Sequence, residues 1–532
     1  MWQEAWQSGK RELLLKRLRE NKQAQWDVVV AGGGITGAGI AREAARRGLS
    51  VLLVDRQDFA WGTSSRSSKM VHGGLRYIAS GDIKTTQHSV SERERLMKEA
   101  PGLVDETGYL MAHYKGVFPG PFVFNSLLRI YDFLAGKKYR KFHKPQAFER
   151  LSPLINDNAL IGGTQFADAV TDDSRLVIRV LREAQEDGAE VLNYIGVDSL
   201  VKENGQVVGA QLKNAETDEV YTVRAKVVIN ATGAWADELR GEVSDEKNIR
   251  PARGSHLVVP SWRLPVAQSF TAMHPDDKRP IFIFPWEGRT IIGTTDLDHE
   301  NIDNKEVAMT RAELEYLMTA ARSQFPKAGL QEKDIITSWA GVRPLVSSGA
   351  LNPSKEKRNH SIWTDSGLVS VSGGKLTTFR LIALDALTAA ERYLPGFSAR
   401  DSGADMFTAF KPTHALFKSL PDYLKKRLQG HYGMDADRLL AQAQPNELDV
   451  IPGAHATWAE LRWSAKNEAV VHLDDLLLRR TRIGLLVEQG GLIYKDKIKA
   501  ICCQELSWSD QQWQVELERY QVIWNTYYSI PA

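Results

Sequence analysis

The hydrophobic pattern near the start of the chain predicts a strand, a helix and a second strand. A β-branched run at 27–31 ends in glycines, an alanine-rich stretch of helical composition follows at 35–47, and an apolar run at 50–54 ends on Asp55. Both runs are continuously apolar rather than alternating, which is typical of parallel strands buried on both faces. The pattern therefore predicts a βαβ unit in a parallel sheet.

Strand patterns return in the middle of the chain. Predicted strands lie at 190–194, 206–213, 220–223 and 225–230. Residues 281–295 have the pattern of a hairpin whose turn uses Glu287 and Gly288, and 255–259 is another predicted strand. These hairpins predict an antiparallel sheet separate from the parallel one.

The last part of the chain has a helical pattern. From about Phe397 the strand patterns fade, and amphipathic stretches such as 457–478 predict packed helices. A domain boundary is therefore expected near residue 395.

Composition narrows the possible partners. The 532 residues exceed what one hydrophobic core accommodates, so two or three domains are expected. Lys plus Arg (68) and Asp plus Glu (66) nearly cancel, which argues against nucleic acid as a partner. The two cysteines, Cys502 and Cys503, are adjacent and indicate neither a disulfide framework nor a metal site. A reducing, cytoplasmic compartment fits this usage.

The N-terminus has no signal-peptide pattern, and no segment is apolar enough for a transmembrane helix. Residues 2–20 instead predict a basic amphipathic helix with Trp2 and Trp6. Such a helix binds an anionic membrane surface or packs on its own domain, and the sequence leaves both interpretations open.

A glycine fingerprint follows the first strand. Gly32, Gly34 and Gly37 have the spacing that permits a tight turn, close approach of a pyrophosphate and packing of helix on strand. Asp55 ends the second strand, where a carboxylate accepts hydrogen bonds from ribose hydroxyls. No second fingerprint is present, and the hydroxyl-rich stretch 63–68 follows, so FAD is favoured over NAD.

Further motifs match a known family. They are TSSRSSKMVHGGLRY (63–77), INATGAWAD (229–237), GSHLVVP (254–260), IIGTTD (291–296), AGVRPL (340–345) and SGGKLTTFR (372–380). In this order the chain resembles the FAD-dependent glycerol-3-phosphate dehydrogenases. The resemblance implies oxidation of glycerol 3-phosphate to dihydroxyacetone phosphate, with electrons passed to a membrane quinone.

The resemblance also implies an architecture of class α/β. A Rossmann-type FAD-binding domain is interleaved with an antiparallel-sheet substrate-capping domain, and a helical domain follows. The expected boundaries are 1–25 for the N-terminal helix, 26–80, 168–240 and 335–395 for the FAD-binding domain, 81–167 and 241–334 for the capping domain, and 396–532 for the helical domain. The chain is expected in the cytoplasm, with the inner face of the cell membrane as a possible site of attachment and a homodimer as a possible assembly.

Residue by residue, the resemblance implies two sets of ligands. The FAD set is Gly32, Gly34, Gly37, Asp55, Thr63, Ser64, Ser65, Ser68, Lys69, His72, Gly73, Gly74, Val197, Ala231, Gly233, Gly374, Lys375, Leu376 and Thr377. The substrate set is Arg76, Tyr77, His256, Arg343, Arg358 and Lys375.

The chemistry assigns roles within the substrate set. A guanidinium grips phosphate bidentately and stabilises a developing alkoxide, so Arg343 is assigned to the alcohol oxygen and the other cations and Tyr77 to the phosphate. His256 is the candidate base because imidazole titrates near neutral pH. A structural histidine at 256 and a surface arginine at 358 are the alternatives.

Other functions remain open. One alternative is an oxidase that returns electrons to oxygen, or a flavoenzyme acting on an amine or hydroxy acid. Another is a flavin-binding protein without turnover, although such a module needs no cationic substrate pocket.

Overall fold

The structure is a computed structural model that describes residues 8–21, 24–75, 78, 81–299, 302, 305–347 and 359–531. The strands of these ranges are β1 Gln25–Ala31, β2 Val51–Val54, β3 Met70–Val71, β4 Val104–Tyr114, β5 Lys141–His143, β6 Leu160–Thr171, β7 Glu190–Leu192, β8 Ile195–Glu203, β9 Gln206–Asn214, β10 Val220–Asn230, β11 Ile249–Pro260, β12 Ser269–Met273, β13 Pro280–Trp286, β14 Arg289–Gly293, β15 Leu297–Asp298, β16 Thr337–Val346, β17 His360–Asp365 and β18 Leu368–Gly373.

The described α-helices separate and follow these strands. They are α1 Ser8–Glu20, α2 Ile35–Ala45, α3 Ile83–Glu99, α4 Pro121–Ala135, α5 Pro145–Leu151, α6 Asp173–Glu186, α7 Ala236–Arg240, α8 Arg311–Gln324, α9 Phe379–Ala390, α10 Ala415–Ser419, α11 Asp422–Tyr432, α12 Ala436–Gln442, α13 Trp458–Asn467, α14 Ile483–Leu486, α15 Lys495–Glu505 and α16 Asp510–Tyr527.

The first sheet has a parallel centre. Its order is β17-β18-β10-β1-β2-β7, and a hairpin of β8 and β9 joins through β10. The contacts of β1 with β2 and β10 are parallel, and the apolar residues of β1 and β2 are buried. Helices α2, α6 and α9 cover one face, as the βαβ pattern predicts.

β10 corrects one detail of the sequence prediction. The two strands predicted at 220–223 and 225–230 are a single strand. Arg224 is the junction, since it lies opposite Gly209 of β9 and also opposite Gln25 of β1. The strand therefore changes partners without breaking.

The second sheet is almost entirely antiparallel. Its order is β15-β11-β14-β13-β12-β4-β6-β3, with β16 paired to β11 and β5 to β6. The hairpin of β13 and β14 is confirmed, and its turn residues Glu287 and Gly288 both have positive φ (48° and 77°). That conformation matches the twist of the two strands.

The second sheet includes three segments that the sequence prediction places in the FAD-binding domain. The segments 70–71, 168–171 and 337–346 were assigned to the FAD-binding domain, but they belong to the second sheet as β3, the end of β6 and β16. β16 pairs with β11 over ten residues, which fixes it there. The consequence is that Arg343 extends from the second sheet.

The C-terminal part is helical, as the pattern predicts, but 457–478 is not one helix. α13 ends at Asn467, and a π-helical turn at Asp475–Arg480 follows. The side chain of Asp475 accepts hydrogen bonds from the backbone N–H groups of Val471 and His472, so it stabilises the turn between the two segments.

The N-terminal helix packs on its own domain. Leu15 and Leu18 of α1 are buried against the first sheet, and Arg17 and Arg19 pair with Glu190 and Glu219. Trp2 and Trp6 lie outside the described residues. Among the described helices, none is long and apolar enough to cross a membrane.

Candidate functional site

One cavity of about 1750 Å³ runs between the two sheets. It begins at the carboxyl ends of β1 and β2 and ends beside Arg343 and His256 of the second sheet. Clefts at the carboxyl ends of parallel strands are where this type of sheet binds dinucleotides. The volume exceeds that of pockets for small molecules alone, so a large cofactor and a substrate fit together.

The glycine turn shapes the dinucleotide end. Gly32 has a φ of +108°, and a Cβ at this position would overlap the carbonyl oxygen of Ala231. A Cβ at Gly37 would overlap the carbonyl oxygen of Gly32. Residues 34–36, at the N-terminus of α2, line the cavity, so this end of the helix would face a pyrophosphate.

Asp55 lies at the end of β2 and lines the cavity. Its Oδ2 accepts the N–H of Gly33 at 2.6 Å, and its Oδ1 accepts that of Gln57 at 2.9 Å. These bonds fix the carboxylate where a ribose would lie. Burial raises the pKa of Asp55 to about 6.

The hydroxyl-rich loop joins the two sheets. Its 3-10 turn, Thr63–Ser65, follows Gly62. Ser64 Oγ accepts the N–H of Ile35 at 3.0 Å, and Thr63 donates to the carbonyl of Val342 on β16. The loop therefore connects the start of α2 to the strand that carries Arg343.

Lys69, a predicted FAD ligand, lies beneath this loop and does not line the cavity. Its side chain is fully buried, with Nζ 2.7 Å from the carbonyl oxygen of Ser65 and 2.8 Å from Asp173 Oδ1. A buried ammonium requires such a partner. Lys69 thus positions the loop.

Most of the other predicted FAD ligands line the cavity. They are Gly32, Gly34, Asp55, Thr63, Ser64, Ser68, His72, Gly74, Val197, Ala231, Gly233, Gly374, Lys375, Leu376 and Thr377. Gly37, Ser65 and Gly73 do not line it; they lie behind the wall, where Gly73 N–H donates to Tyr131 and Asp168. Arg76, Tyr77 and Arg358 lie outside the described residues.

The substrate end is built around a buried carboxylate. Arg343 of β16 donates from Nη1 to Asp296 Oδ1 at 2.8 Å and from Nη2 to Thr294 Oγ1 at 3.0 Å. Arg279, immediately before β13, contacts the other oxygen of Asp296 at 3.5 Å. All four residues line the cavity, so two guanidiniums held by one carboxylate face the same space.

His256 of β11 lies beside this pair. It is 1% exposed, its ring stacks on Trp339 with centroids 4.9 Å apart, and Nε2 is 2.9 Å from Ser68 Oγ. Burial, together with the charges of Arg343 and Lys69, lowers the pKa of His256 well below its ordinary value. The imidazole is therefore neutral at neutral pH, which is the form that accepts a proton.

Lys375 approaches the cavity from the first sheet. It follows Gly373 and Gly374, whose φ values of +81° and +84° turn the chain sharply after β18. Its Nζ lies 3.2 Å from Ser89 Oγ. The structure therefore brings Lys375, His256 and Arg343 to one cavity from different elements.

The sequence reasoning missed Arg279 and Asp296. Asp296 lies in the IIGTTD motif, which carries the family resemblance but assigns this residue no role. Arg279 had only a weak signal, an arginine directly before a predicted strand. Its place beside Arg343 depends on the pairing of β13 with β14, which composition does not encode.

Residues 27–380 match the family described as FAD dependent oxidoreductase. The chain belongs to this family. Residues 390–513 match the C-terminal domain of alpha-glycerophosphate oxidase. The helical part of the chain thus matches a domain family of its own.

Similar proteins cover almost the whole chain. An aerobic glycerol-3-phosphate dehydrogenase of Staphylococcus haemolyticus is 36% identical over 498 residues, 88% of each chain. One of Staphylococcus aureus is 34% identical over 538 residues, 96% of each. The solved glycerol-3-phosphate dehydrogenase of Bacillus halodurans, complexed with FAD, has a TM-score of 0.77 at 29% identity and covers 97% of this chain and 98% of its own.

Proposed function

We propose that this chain binds FAD and oxidises glycerol 3-phosphate to dihydroxyacetone phosphate. The observation that carries the proposal is the pair of guanidiniums, Arg343 and Arg279, held by Asp296 at one end of a dinucleotide cavity. A phosphorylated alcohol offers each guanidinium a partner, the alcohol oxygen for one and the phosphate for the other. The relatives named above act as glycerol-3-phosphate dehydrogenases and agree with this substrate.

The residues of the cavity fit FAD. The glycine turn has no room for a Cβ, Asp55 faces the ribose position, and the first turn of α2 faces the pyrophosphate. When bound, FAD supplies the acceptor for the hydride that leaves the alcohol carbon. Everything else required by the reaction comes from side chains.

The side chains orient the alcohol and manage its proton. Arg343, fixed by Asp296 and Thr294, stabilises negative charge that develops on the alcohol oxygen. Neutral His256, fixed by Ser68 and Trp339, is placed to accept the hydroxyl proton. Arg279 and Lys375 bind the phosphate.

Substrate comparison tests this proposal. The purified protein, supplied with a water-soluble dye as acceptor, is assayed with glycerol 3-phosphate, glycerol, lactate and glycine. We expect turnover with glycerol 3-phosphate and at least a hundredfold lower kcat/KM for the three unphosphorylated compounds. Equal or faster turnover of lactate or glycine would replace the proposal by the hydroxy-acid or amine alternative.

We further propose that a membrane quinone, rather than oxygen, removes the electrons. The names of the similar proteins, aerobic glycerol-3-phosphate dehydrogenases, support a dehydrogenase and not an oxidase. The similarity to the glycerophosphate oxidase of Mycoplasma pneumoniae, at 17% identity and a TM-score of 0.58, concerns the fold alone. After anaerobic reduction by glycerol 3-phosphate, reoxidation by a soluble quinone analogue is compared with reoxidation by air. Faster reoxidation by air would favour the oxidase.

We propose a cytoplasmic location at the inner face of the membrane, because the two adjacent cysteines suit a reducing compartment and a lipid-dissolved quinone is reached at the membrane surface. Fractionation of cells into membrane and soluble fractions tests this location. Recovery of the protein from a fraction outside the cytoplasmic membrane would contradict it. A homodimer is proposed with it, and the mass of the purified protein by light scattering distinguishes one chain from two.

A further inference from the structure

The helical domain contacts the cofactor loops from behind the cavity wall. Within its described range, 396–531, no residue lines the cavity. Residues 479–482, which we call the arginine segment, nevertheless contact both loops that follow β2. Arg479, Arg480 and Arg482 are each no more than 2% exposed. Because a guanidinium is almost never buried unless it is paired, the partners of these arginines show what the segment holds in place.

Two of the arginines converge on Asp58, which is fully buried. Arg480 binds its carboxylate through both Nη atoms, Nη1 to Oδ2 at 2.7 Å and Nη2 to Oδ1 at 2.8 Å, and Arg479 donates from Nε to Oδ2 at 2.5 Å. Burial alone would raise the pKa of Asp58, but the charges of Arg480 and Arg479 hold it below its ordinary value. The carboxylate is therefore ionised at neutral pH, and a paired guanidinium fixes its orientation.

Asp58 lies at the centre of a loop that packs on the glycine turn. We call residues 55–60 the ribose loop. At one end of it the Asp55 carboxylate accepts the N–H of Gly33, and at the other end the N–H of Ala60 donates to the carbonyl oxygen of Gly33 at 3.1 Å. The ring of Phe59 lies so close to Gly33 that a Cβ there would come within 2.6 Å of it. The ribose loop is therefore attached to the glycine turn at both ends and to the helical domain at its centre.

Arg482 holds the hydroxyl-rich loop. Its Nη1 donates to the carbonyl oxygen of Ser65 at 3.3 Å, and its Nη2 donates to the carboxylate of Asp173 at the start of α6. Asp173 also accepts the backbone N–H of Ser67 at 2.9 Å and its hydroxyl at 2.7 Å, and it pairs with Lys69. The arginine segment thus contacts this loop directly and also through one shared carboxylate.

The backbone of the arginine segment has an unusual conformation. It begins in the π-helical turn Asp475–Arg480, and Arg482 has a φ of +62°, which residues with a Cβ rarely adopt. The carbonyl oxygens of Arg479 and Arg480 accept hydrogen bonds from the Ser174 hydroxyl at 2.8 Å and from Arg175 Nη2 at 2.9 Å. Conformations of this kind concentrate at functional positions and persist only where surrounding contacts maintain them.

We propose that the arginine segment is a positioning element of the FAD site, which fixes the ribose loop and the hydroxyl-rich loop so that the affinity for FAD depends on the helical domain. The inference rests on the FAD site of the proposed function and not on its substrate. A second consequence concerns the base, because the hydroxyl-rich loop carries Ser68, whose Oγ lies 2.9 Å from His256 Nε2. Arg482 therefore helps to position His256 as well as FAD.

Titration of the full-length apoprotein with FAD tests the proposal. Arg480→Met and Arg482→Met each remove one guanidinium from a loop. The matched control is Arg182→Met, because Arg182 of α6 is also buried and pairs with Asp435 of the helical domain, Nε to Oδ2 at 2.6 Å, away from both loops. We expect the Kd for FAD to rise about tenfold or more in the first two variants and to stay within about twofold of wild type in the control. Equal weakening in all three would show that only general docking of the helical domain matters and would overturn the proposal.

Hydrogen exchange gives a readout that a purely structural role would not change. Coupling between two sites is reciprocal, so if the arginine segment stabilises bound FAD, then FAD must stabilise the segment. Addition of FAD to the wild-type apoprotein should slow amide exchange at 475–487 by about tenfold, although none of these residues lines the cavity. Asp58→Asn should lose most of this protection. Exchange at 475–487 that is unaffected by FAD would overturn the proposal, and this measurement needs no substituted protein to fold.

A graded substitution and the dye assay complete the test. Arg480→Lys keeps a positive charge for Asp58 without the two paired donors, so its Kd for FAD should lie between those of wild type and Arg480→Met. Weaker FAD binding in the arginine variants, with no reduction of the dye by glycerol 3-phosphate in the wild type, would support the positioning element and refute the proposed substrate. Unchanged FAD binding in those variants, with normal dye reduction, would overturn the positioning element and leave the proposed function in place.

Discussion

The two ends of the cavity are constructed differently. The core of the dinucleotide end lies in one short stretch, from Gly32 to Asp55, where a turn without side chains leaves room beside the Asp55 carboxylate. The substrate end is formed by side chains from strands that are distant in sequence, with Arg343 and His256 on neighbouring strands. Substitutions should therefore separate cofactor binding from turnover.

The largest effect is expected for Arg343→Ala at the substrate end. Loss of a guanidinium fixed by Asp296 should lower kcat/KM for glycerol 3-phosphate by roughly a hundredfold to a thousandfold, as for other donors to a developing oxyanion. The FAD content, measured by absorbance, should equal that of the wild type. Arg343→Lys keeps the positive charge without the planar guanidinium and should recover only part of the rate. Loss of FAD from the Arg343→Ala protein would contradict the separation of cofactor binding from turnover.

Gly37→Ala tests the dinucleotide end. The new Cβ overlaps the carbonyl oxygen of Gly32, and overpacking of this kind costs about 1–3 kcal/mol, which should weaken FAD binding by up to about a hundredfold. Gly120→Ala is the control, because no atom lies within 4 Å of its Cβ position. Titration of the apoprotein with FAD measures both, and equal affinities would contradict the role of the turn.

Arg279→Ala should act on substrate binding. Removal of a charged contact to phosphate costs about 1.5 kcal/mol or more, so KM for glycerol 3-phosphate should rise roughly tenfold or more with little change in kcat. Arg263→Ala, which removes an arginine paired with Asp334, is the control. A fall in kcat without a change in KM would show that Arg279 acts at the reacting carbon and not on the phosphate.

The smallest effect is a pH dependence at the dinucleotide end. The pKa of Asp55 is raised to about 6 by burial, so the carboxylate that accepts ribose hydrogen bonds is lost as pH falls below this value. FAD affinity should fall about tenfold between pH 7 and pH 5. His256 should add no change near pH 6.5, because its pKa lies well below that. Asp55→Asn should abolish the pH effect.

The difference between the ends also explains what the sequence predicted. The glycine turn and Asp55 are local, so strand patterns and spacing were sufficient. Arg279 and Asp296 gain their meaning from the pairing of β13, β14, β11 and β16, and one-dimensional patterns do not fix which strands pair. For the same reason the sequence did not reveal that 337–346 pairs with β11 in the second sheet. Lys69 had a suggestive position, but its burial against Asp173 was visible only in three dimensions.

Glycerol 3-phosphate should reduce a flavin held in this cavity. The most direct measurement is the visible spectrum of the purified protein, without oxygen, before and after addition of glycerol 3-phosphate. We expect a visible flavin band that bleaches with glycerol 3-phosphate and not with glycerol. A yellow protein whose spectrum is unchanged by glycerol 3-phosphate would contradict it.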